Sequence, residues 1–166
     1  MDVTIRQLKA QDAAAVYAYS RRQEVYKPAS MLPPTSVAAT TANIAREADT
    51  DQLYAVVLKS TGTVIGNVSL YWQIGAEGMP DEANRELGYA LNPDYWQHGY
   101  MTQGVSLVLA HAFTMGVASV NASAYRDNVA SVKLLERLGF KRSPTQFDAE
   151  AFSYRCEPQD FVAVVG

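Results

Sequence analysis

Tyr95-Trp96-Gln97-His98-Gly99-Tyr100-Met101-Thr102 is the stretch on which the reading of this chain turns. It follows a strand-like run, 85–91, which Asn92-Pro93 halts, because proline has no N–H with which to continue a ladder. It opens a helix predicted over 101–113. There Met101, Val105, Val108, Leu109, Ala112 and Phe113 recur at the three-to-four spacing of a buried stripe. A glycine loop between a strand and a helix start can aim several backbone N–H groups at one point, and the helix dipole adds positive potential there. Such a loop is an anion site, above all for phosphate.

Working outward, residues 3–8 alternate as a first strand, and Asp12 is placed to cap a helix running to about Arg21. The stretch from Pro28 to Pro34 breaks the pattern before a second short helix over 36–47. Residues 53–58 and 64–72 read as strands joined by the turn Ser60-Thr61-Gly62, hence a hairpin. Residues 73–84 read as a polar loop holding Glu77, Asp81 and Glu82. Downstream, 120–124 is a short strand of small residues, and 128–138 a helix closed by Gly139. Strand returns from Phe140 onward, with a last strand near 151–156. The order β-α-α-β-β-β-α-β-α-β-β predicts an α/β fold, a mixed sheet with helices on its faces. At 166 residues the chain suits one domain, 1–166, with a sizeable core.

Composition narrows the function classes. Apolar residues make up 48% and charged residues 19%, a globular balance and not a disordered one. With a formal net charge of -3 there is no broad basic footprint, so no nucleic-acid partner is expected. No apolar run reaches the length of a membrane span, and Met1-Asp2-Val3-Thr4 lacks the charged and apolar regions of a signal peptide, so no membrane partner is expected. One cysteine, Cys156, rules out an intrachain disulfide and suits a reducing, cytoplasmic setting. Cys156 reads as a small hydrophobe in a late strand and not as a nucleophile. His98 and His111 are the only histidines and lack ligand spacing, so no metal is expected.

Two motifs carry a resemblance. The first is Glu86-Leu87-Gly88-Tyr89-Ala90-Leu91-Asn92-Pro93-Asp94-Tyr95-Trp96, running into Gly99-Tyr100-Met101-Thr102. The second is Asn128-Val129-Ala130-Ser131-Val132-Lys133-Leu134-Leu135-Glu136-Arg137-Leu138-Gly139-Phe140. On these the chain resembles the GNAT (GCN5-related N-acetyltransferase) superfamily, in particular its Rim-type branch, which includes N-terminal acetyltransferases of ribosomal proteins. The resemblance implies a mostly antiparallel sheet with splayed fourth and fifth strands. It also implies acetyl-CoA as cofactor and transfer of acetyl to a primary amine, on a protein N-terminus or a small amino compound. Dimers are frequent among the look-alikes, which leaves a homodimer open. The chain departs from the superfamily loop Q/R-x-x-G-x-G/A, with Trp96 first and Met101 last, and Gln103 replaces a usual glutamate. Met101 either crowds the backbone at the phosphates or packs beneath the helix.

Site residues follow. N–H groups of His98, Gly99, Tyr100, Met101 and Thr102 are placed to hold a pyrophosphate. The resemblance assigns Tyr89, Ala90 and Leu91 to the cofactor's pantetheine arm, with a free main-chain N–H near Ala90 for the acetyl carbonyl. Glu86 is the candidate general base, working through water, as a partly buried carboxylate tuned upward or else a surface strand residue. The family's usual tyrosine acid falls at Leu135, and the Rim-type pattern places a serine at Ser131, whose hydroxyl could bond the leaving sulfur. Asn128 reads as an N-cap, and by resemblance also contacts the pantetheine. Lys133 and Arg137 are candidates for the adenosine 3′-phosphate or a solvated helix face. Asp81 and Glu82 would attract a cationic acceptor, and Trp72, with Tyr71 and Trp96, would line its pocket. Met101, Gln103 and Leu135 together motivate an alternative, a catalytically degenerate acyl-CoA-binding or sensing module. A protein of the same fold without cofactor is a third reading.

Overall fold

The computed structural model describes residues 1–49, 52–144 and 149–165. In chain order the elements are β1 (Val3–Gln7), α1 (Ala13–Ser20), α2 (Gln23–Tyr26), α3 (Val37–Glu47), β2 (Gln52–Leu58) and β3 (Thr63–Ile74). Then come β4 (Pro80–Leu91), α4 (Tyr100–Thr114), β5 (Ser119–Tyr125), α5 (Val129–Arg137), β6 (Lys141–Arg142) and β7 (Ala151–Cys156). Among the described residues these strands form one sheet in the order β1-β2-β3-β4-β5-β7-β6. Every pairing is antiparallel except β4 with β5. The fold is therefore mixed α/β with a mostly antiparallel sheet.

β4 and β5 pair at Asn84↔Ser119, Arg85↔Val120 and Glu86↔Asn121 and no further. β4 then stays with β3 as far as Leu91, while β5 stays with β7 as far as Tyr125. The two strands diverge beyond Glu86 and leave a gap with unpaired backbone on both sides, the splay expected from the resemblance.

Alternation along β2 divides the core. Leu53, Ala55 and Val57 pack with Leu8, Ala13 and Ile44, the cluster under α1 and α3. Val56 and Leu58 join the larger cluster with Met101, Val105, Val108 and Leu109 of α4 and Leu134 and Leu135 of α5. Helices thus cover both faces. α4 sits very close to the sheet, because a Cβ on Gly104 would come within 2.9 Å of Val56. Gly139 takes φ +92 where the backbone carbonyl of Asp160 would lie 1.9 Å from any Cβ, so only glycine fits there.

Two local expectations fail. Residues 73–84 are not a loop: β3 runs to Ile74 and β4 begins at Pro80, joined by a 3-10 turn at Ala76–Gly78. Their polar composition reflects a solvated hairpin with a bulge, where the register jumps between Trp72↔Arg85 and Gln73↔Asp81. Asp12 does not cap α1 with its side chain. It accepts the Lys9 N–H at 2.9 Å and two bonds of 2.8 Å from the Arg6 guanidinium, a buried carboxylate tying β1 to the start of α1. Ser36 does cap α3, accepting the Ala39 N–H at 3.0 Å.

Candidate active site

The loop that opens α4 is shaped by two left-handed residues, Gln97 at φ 64 and Gly99 at φ 74. Gly99 is the N-cap and has no side chain to cap with, while its carbonyl accepts the Gln103 N–H at 3.1 Å. The N–H groups of Tyr95 and Trp96 are used by the preceding turn, on Asn92 and Pro93. Those of Gln97, His98, Gly99, Tyr100, Met101 and Thr102 meet no acceptor among the described residues. No acidic side chain stands in the first turn of α4. Orphan donors at a helix N-terminus with no acidic residue in its own first turn form a candidate anion site.

Side chains brace this loop from outside. Trp96 Nε1 donates to the Leu91 carbonyl at 3.0 Å. The His98 ring stacks on Tyr100 at 5.1 Å and its Nδ1 lies 2.7 Å from the Trp96 carbonyl. Arg22 donates to Asp94 at 2.8 Å and to Asn92 at 3.3 Å, locking the approach to the loop onto the α1–α2 junction. Sequence reading missed Arg22, whose partners lie about 70 residues away. Met101 is buried beneath the helix, its Cε 3.1 Å from where a side chain on Gly66 would begin. It does not crowd the donors. Gln103 ties the first turn of α4 to the start of the chain. Its Oε1 accepts the Asp2 N–H at 2.7 Å and its Nε2 donates to the Asp2 carboxylate at 3.0 Å. A hollow of about 370 Å³ lined by Asp2, Lys59, Ser60 and Tyr100 lies on the β1–β2 side of this turn, away from β5.

Next to the loop is the gap. Asn92 N–H bonds to Ile65 on β3. Antiparallel alternation therefore turns the backbone groups of Ala90 toward β3 and those of Tyr89 and Leu91 toward the gap. The unpaired N–H expected near Ala90 is accordingly not its own but belongs to its two neighbours.

Glu86 is the last β4 residue paired with β5. Its Oε2 accepts from Gln73 Nε2 at 3.2 Å, and Gln73 Oε1 accepts from Asn121 Nδ2 at 3.2 Å. The carboxylate is exposed, the surface-strand alternative of the two expected. The Tyr71 ring lies on Gly88, on the same side, where any Cβ would come within 2.8 Å of it. Beyond them Tyr125, at the end of β5, hydrogen-bonds Ser30 of the segment before α3.

On the other side of β4, Asn128 caps α5 by accepting the Ser131 N–H at 3.3 Å. The Ser131 hydroxyl interacts with the Tyr89 phenol, which burial pushes up to about 12 and Ser131 pulls partly back. Leu135 is fully buried. Lys133 and Arg137 are exposed on α5.

The acceptor residues read from sequence are not brought together. Asp81 accepts from Ala83 N at 3.0 Å, Asn84 N at 3.2 Å and Asn84 Nδ2 at 2.6 Å, and these bonds, that of Asn84 first, hold its carboxyl below the usual range. It closes the β4 bulge, and Glu82 is exposed on the same bulge. Trp72 pairs with Arg85, whose guanidinium lies 5.5 Å from its ring, on the sheet face opposite Glu86. Burial pushes the Cys156 thiol up to about 12, which suits an inert core residue. Among the described residues no group of three or more His, Cys, Asp or Glu could hold a metal, and no helix is long and apolar enough to cross a membrane.

The N–H groups without acceptors lie beside the β4–β5 gap, and comparison with known proteins gives the family. The family model described as an acetyltransferase (GNAT) domain matches residues 2–141. The chain belongs to the GNAT acetyltransferase family. It is an N-acetyltransferase, with acetyl-CoA as the acetyl donor. It is 24% identical to the N-acetyltransferase YnaD of Bacillus subtilis (strain 168) over 93% of this chain and 84% of that one. In structure it is similar to a spermidine N-acetyltransferase from Vibrio cholerae in complex with CoA and spermine. That match has TM-score 0.80 and 15% identity, covering 96% of this chain and 97% of the other. A ribosomal-protein-S5-alanine acetyltransferase from Vibrio fischeri matches with TM-score 0.75 and 18% identity, covering 98% and 96%.

Proposed function

We propose that this GNAT domain binds acetyl-CoA with the N–H groups of His98 to Thr102 on its pyrophosphate. The Tyr89 and Leu91 main chains face its pantetheine arm, and Asn128 and Ser131 stand at the arm's far side. The observation that carries this is the run of N–H groups from Gln97 to Thr102 without acceptors, at a helix start with no acidic side chain. When bound, the cofactor supplies an activated acetyl thioester. The free N–H groups of β4 then polarise its carbonyl, and Ser131 faces its sulfur.

Glu86 is the general base. Gln73 and Asn121 orient its carboxylate at the mouth of the gap, where it takes the amine proton through water. Tyr71, Glu86 and Tyr125 line the side from which the amine approaches, and the segment holding Ser30 closes it. Asp81, Glu82 and Trp72 are left out of this pocket. The acceptor is a primary amine, either a small polyamine-like compound or a peptide N-terminus. The exposed carboxylate and aromatic wall suit both, and the neighbours named for spermidine and for a ribosomal-protein alanine support each. We further infer that the chain works as one domain in the cytoplasm, without nucleic-acid or membrane partners, with a homodimer left open.

The test is release of free thiol from acetyl-CoA against a library of amines and peptides, with a thermal melt alongside. Turnover with at least one amine, and a melt raised by acetyl-CoA, are expected. A raised melt with no thiol release would favour a binding or sensing module. No shift at all would remove the cofactor assignment.

A further inference from the structure

Arg22 is the N-cap residue of α2, and its guanidinium reaches in two directions. Nη1 donates to the Asp94 carboxylate at 2.8 Å and to Asn92 Oδ1 at 3.3 Å. Nη2 donates to the Glu24 carboxylate, in α2, at 3.4 Å. Asn92 and Asp94 belong to the turn that leads into the donor loop, and that turn is held from several sides. The Asn92 N–H donates to the Ile65 carbonyl of β3 at 2.8 Å, its Oδ1 accepts the Asp94 N–H at 3.0 Å, and its carbonyl accepts the Tyr95 N–H at 2.9 Å. The N–H groups without acceptors begin just beyond, at Gln97.

On its other side Arg22 starts a segment with little else to hold it. Its carbonyl accepts the N–H groups of Val25 and Tyr26, at 2.9 and 3.1 Å, and opens α2, which buries no side chain. The segment then reaches Tyr125, at the end of β5, through the Ser30 hydroxyl. A stretch without buried apolar contacts opens easily, so its few polar ties decide where it rests.

Resting on the cofactor reading above, we propose that Arg22 is a positioning residue that couples the acceptor side of the site to the coenzyme. Pyrophosphate on the His98–Thr102 donors steadies the loop and the turn before it. Arg22 grips that turn with Nη1 and α2 with Nη2, and so carries the restraint to the segment, ending at Ser30, that closes the amine's approach. The amine pocket is complete only when acetyl-CoA is in place. The coupling is reciprocal: whatever the coenzyme does for the segment, the seated segment does for coenzyme affinity. Both members of the Arg22–Asp94 pair are partly exposed, which keeps the effect small.

Arg22→Met keeps a long side chain and removes its donors and charge, whereas Asp94→Ala removes the partner and leaves Arg22 intact. Hydrogen exchange of residues 23–31 is followed with and without saturating coenzyme A, and coenzyme A affinity is measured by calorimetry. In the wild type, coenzyme A should slow that exchange about threefold. In either variant the slowing should vanish, and coenzyme A should bind about threefold more weakly. The double variant should bind no more weakly than either single one, because both remove the same tie. A role confined to holding α2 would speed exchange equally with and without coenzyme A and leave its affinity unaltered, which overturns the proposal. A wild type that binds no coenzyme A overturns the cofactor reading and this proposal with it, whereas binding with unaltered exchange over 23–31 overturns this proposal alone.

Discussion

On β4, Glu86, Gly88 and Ala90 face the side of the sheet that carries α1 and α3, while Arg85, Leu87 and Tyr89 face α4 and α5. The first side is open over the gap, with an exposed carboxylate in a chain of amide side chains and a tyrosine ring laid on a glycine. The second is packed, and its polar groups are few and individually placed. On the proposed reading of the site, one strand serves two needs of acetyl transfer. The exposed side must exchange substrate and protons with water, whereas the buried side must hold the coenzyme's sulfur in a fixed, poorly solvated place.

Substitutions on each side should separate these roles. The largest effect is expected on the open side. Glu86→Gln should lower kcat by about 10²- to 10³-fold with the melting temperature nearly unchanged, since the carboxylate is exposed. A variant with full turnover would transfer the base role elsewhere and break the comparison.

Gly66→Ala tests the packed side. A Cβ there would lie 2.5 Å from the Ala90 carbonyl and 3.1 Å from the Met101 Cε. Urea unfolding should show a loss of about 2 kcal/mol, because backbone cannot yield as a side-chain tip can. The cost should be accompanied by weaker coenzyme A binding, since both Ala90 and Met101 adjoin the loop.

Asp12→Asn examines the α1 side away from the gap. Losing the two bonds to Arg6 should cost about 2 kcal/mol at neutral pH. Arg6, by its hydrogen bonds, holds the Asp12 carboxyl below its usual value. Its stabilising contribution is thus present above the unfolded carboxylate value and is lost as pH falls through the folded one. The stabilities of wild type and Asp12→Asn should converge in acid, and a gap that widened as pH fell would contradict the assignment.

The smallest effect has the opposite sign. Arg85 is buried on the packed side, and its Nε and Nη1 have no hydrogen-bond partner among the described residues. Arg85→Met keeps the volume and removes the desolvated charge, so stability should rise by about 1 kcal/mol with kcat unchanged. A loss of stability would mean that the stacking on Trp72 outweighs desolvation.

Much of the fold was legible because it rests on local rules. The apolar stripe of α4, Asn128 as a cap and Gly139 as a helix end each follow from a few neighbouring residues. The glycine loop was legible for the same reason, since backbone donors depend on chain conformation and not on side-chain identity. The 73–84 stretch was misread because hairpin pairing at a bulge is set by the partner strand, and polar residues on a solvated hairpin look like loop. That Asp81 closes a bulge and Trp72 lies on the face opposite Glu86 was not legible, because acidity and aromaticity show what a side chain can do and not where it faces.

The sequence by itself determined the order of elements apart from the short α2, the glycine loop that opens α4 and the family to which the chain belongs, all of which depend on short-range pattern. Only the tertiary structure decided that Met101 lies beneath the loop and that Gln73, itself held by Asn121, reaches Glu86. Those meetings are products of strand register and helix docking, and a one-residue slip in β4 would have turned Glu86 to the other face, away from Gln73.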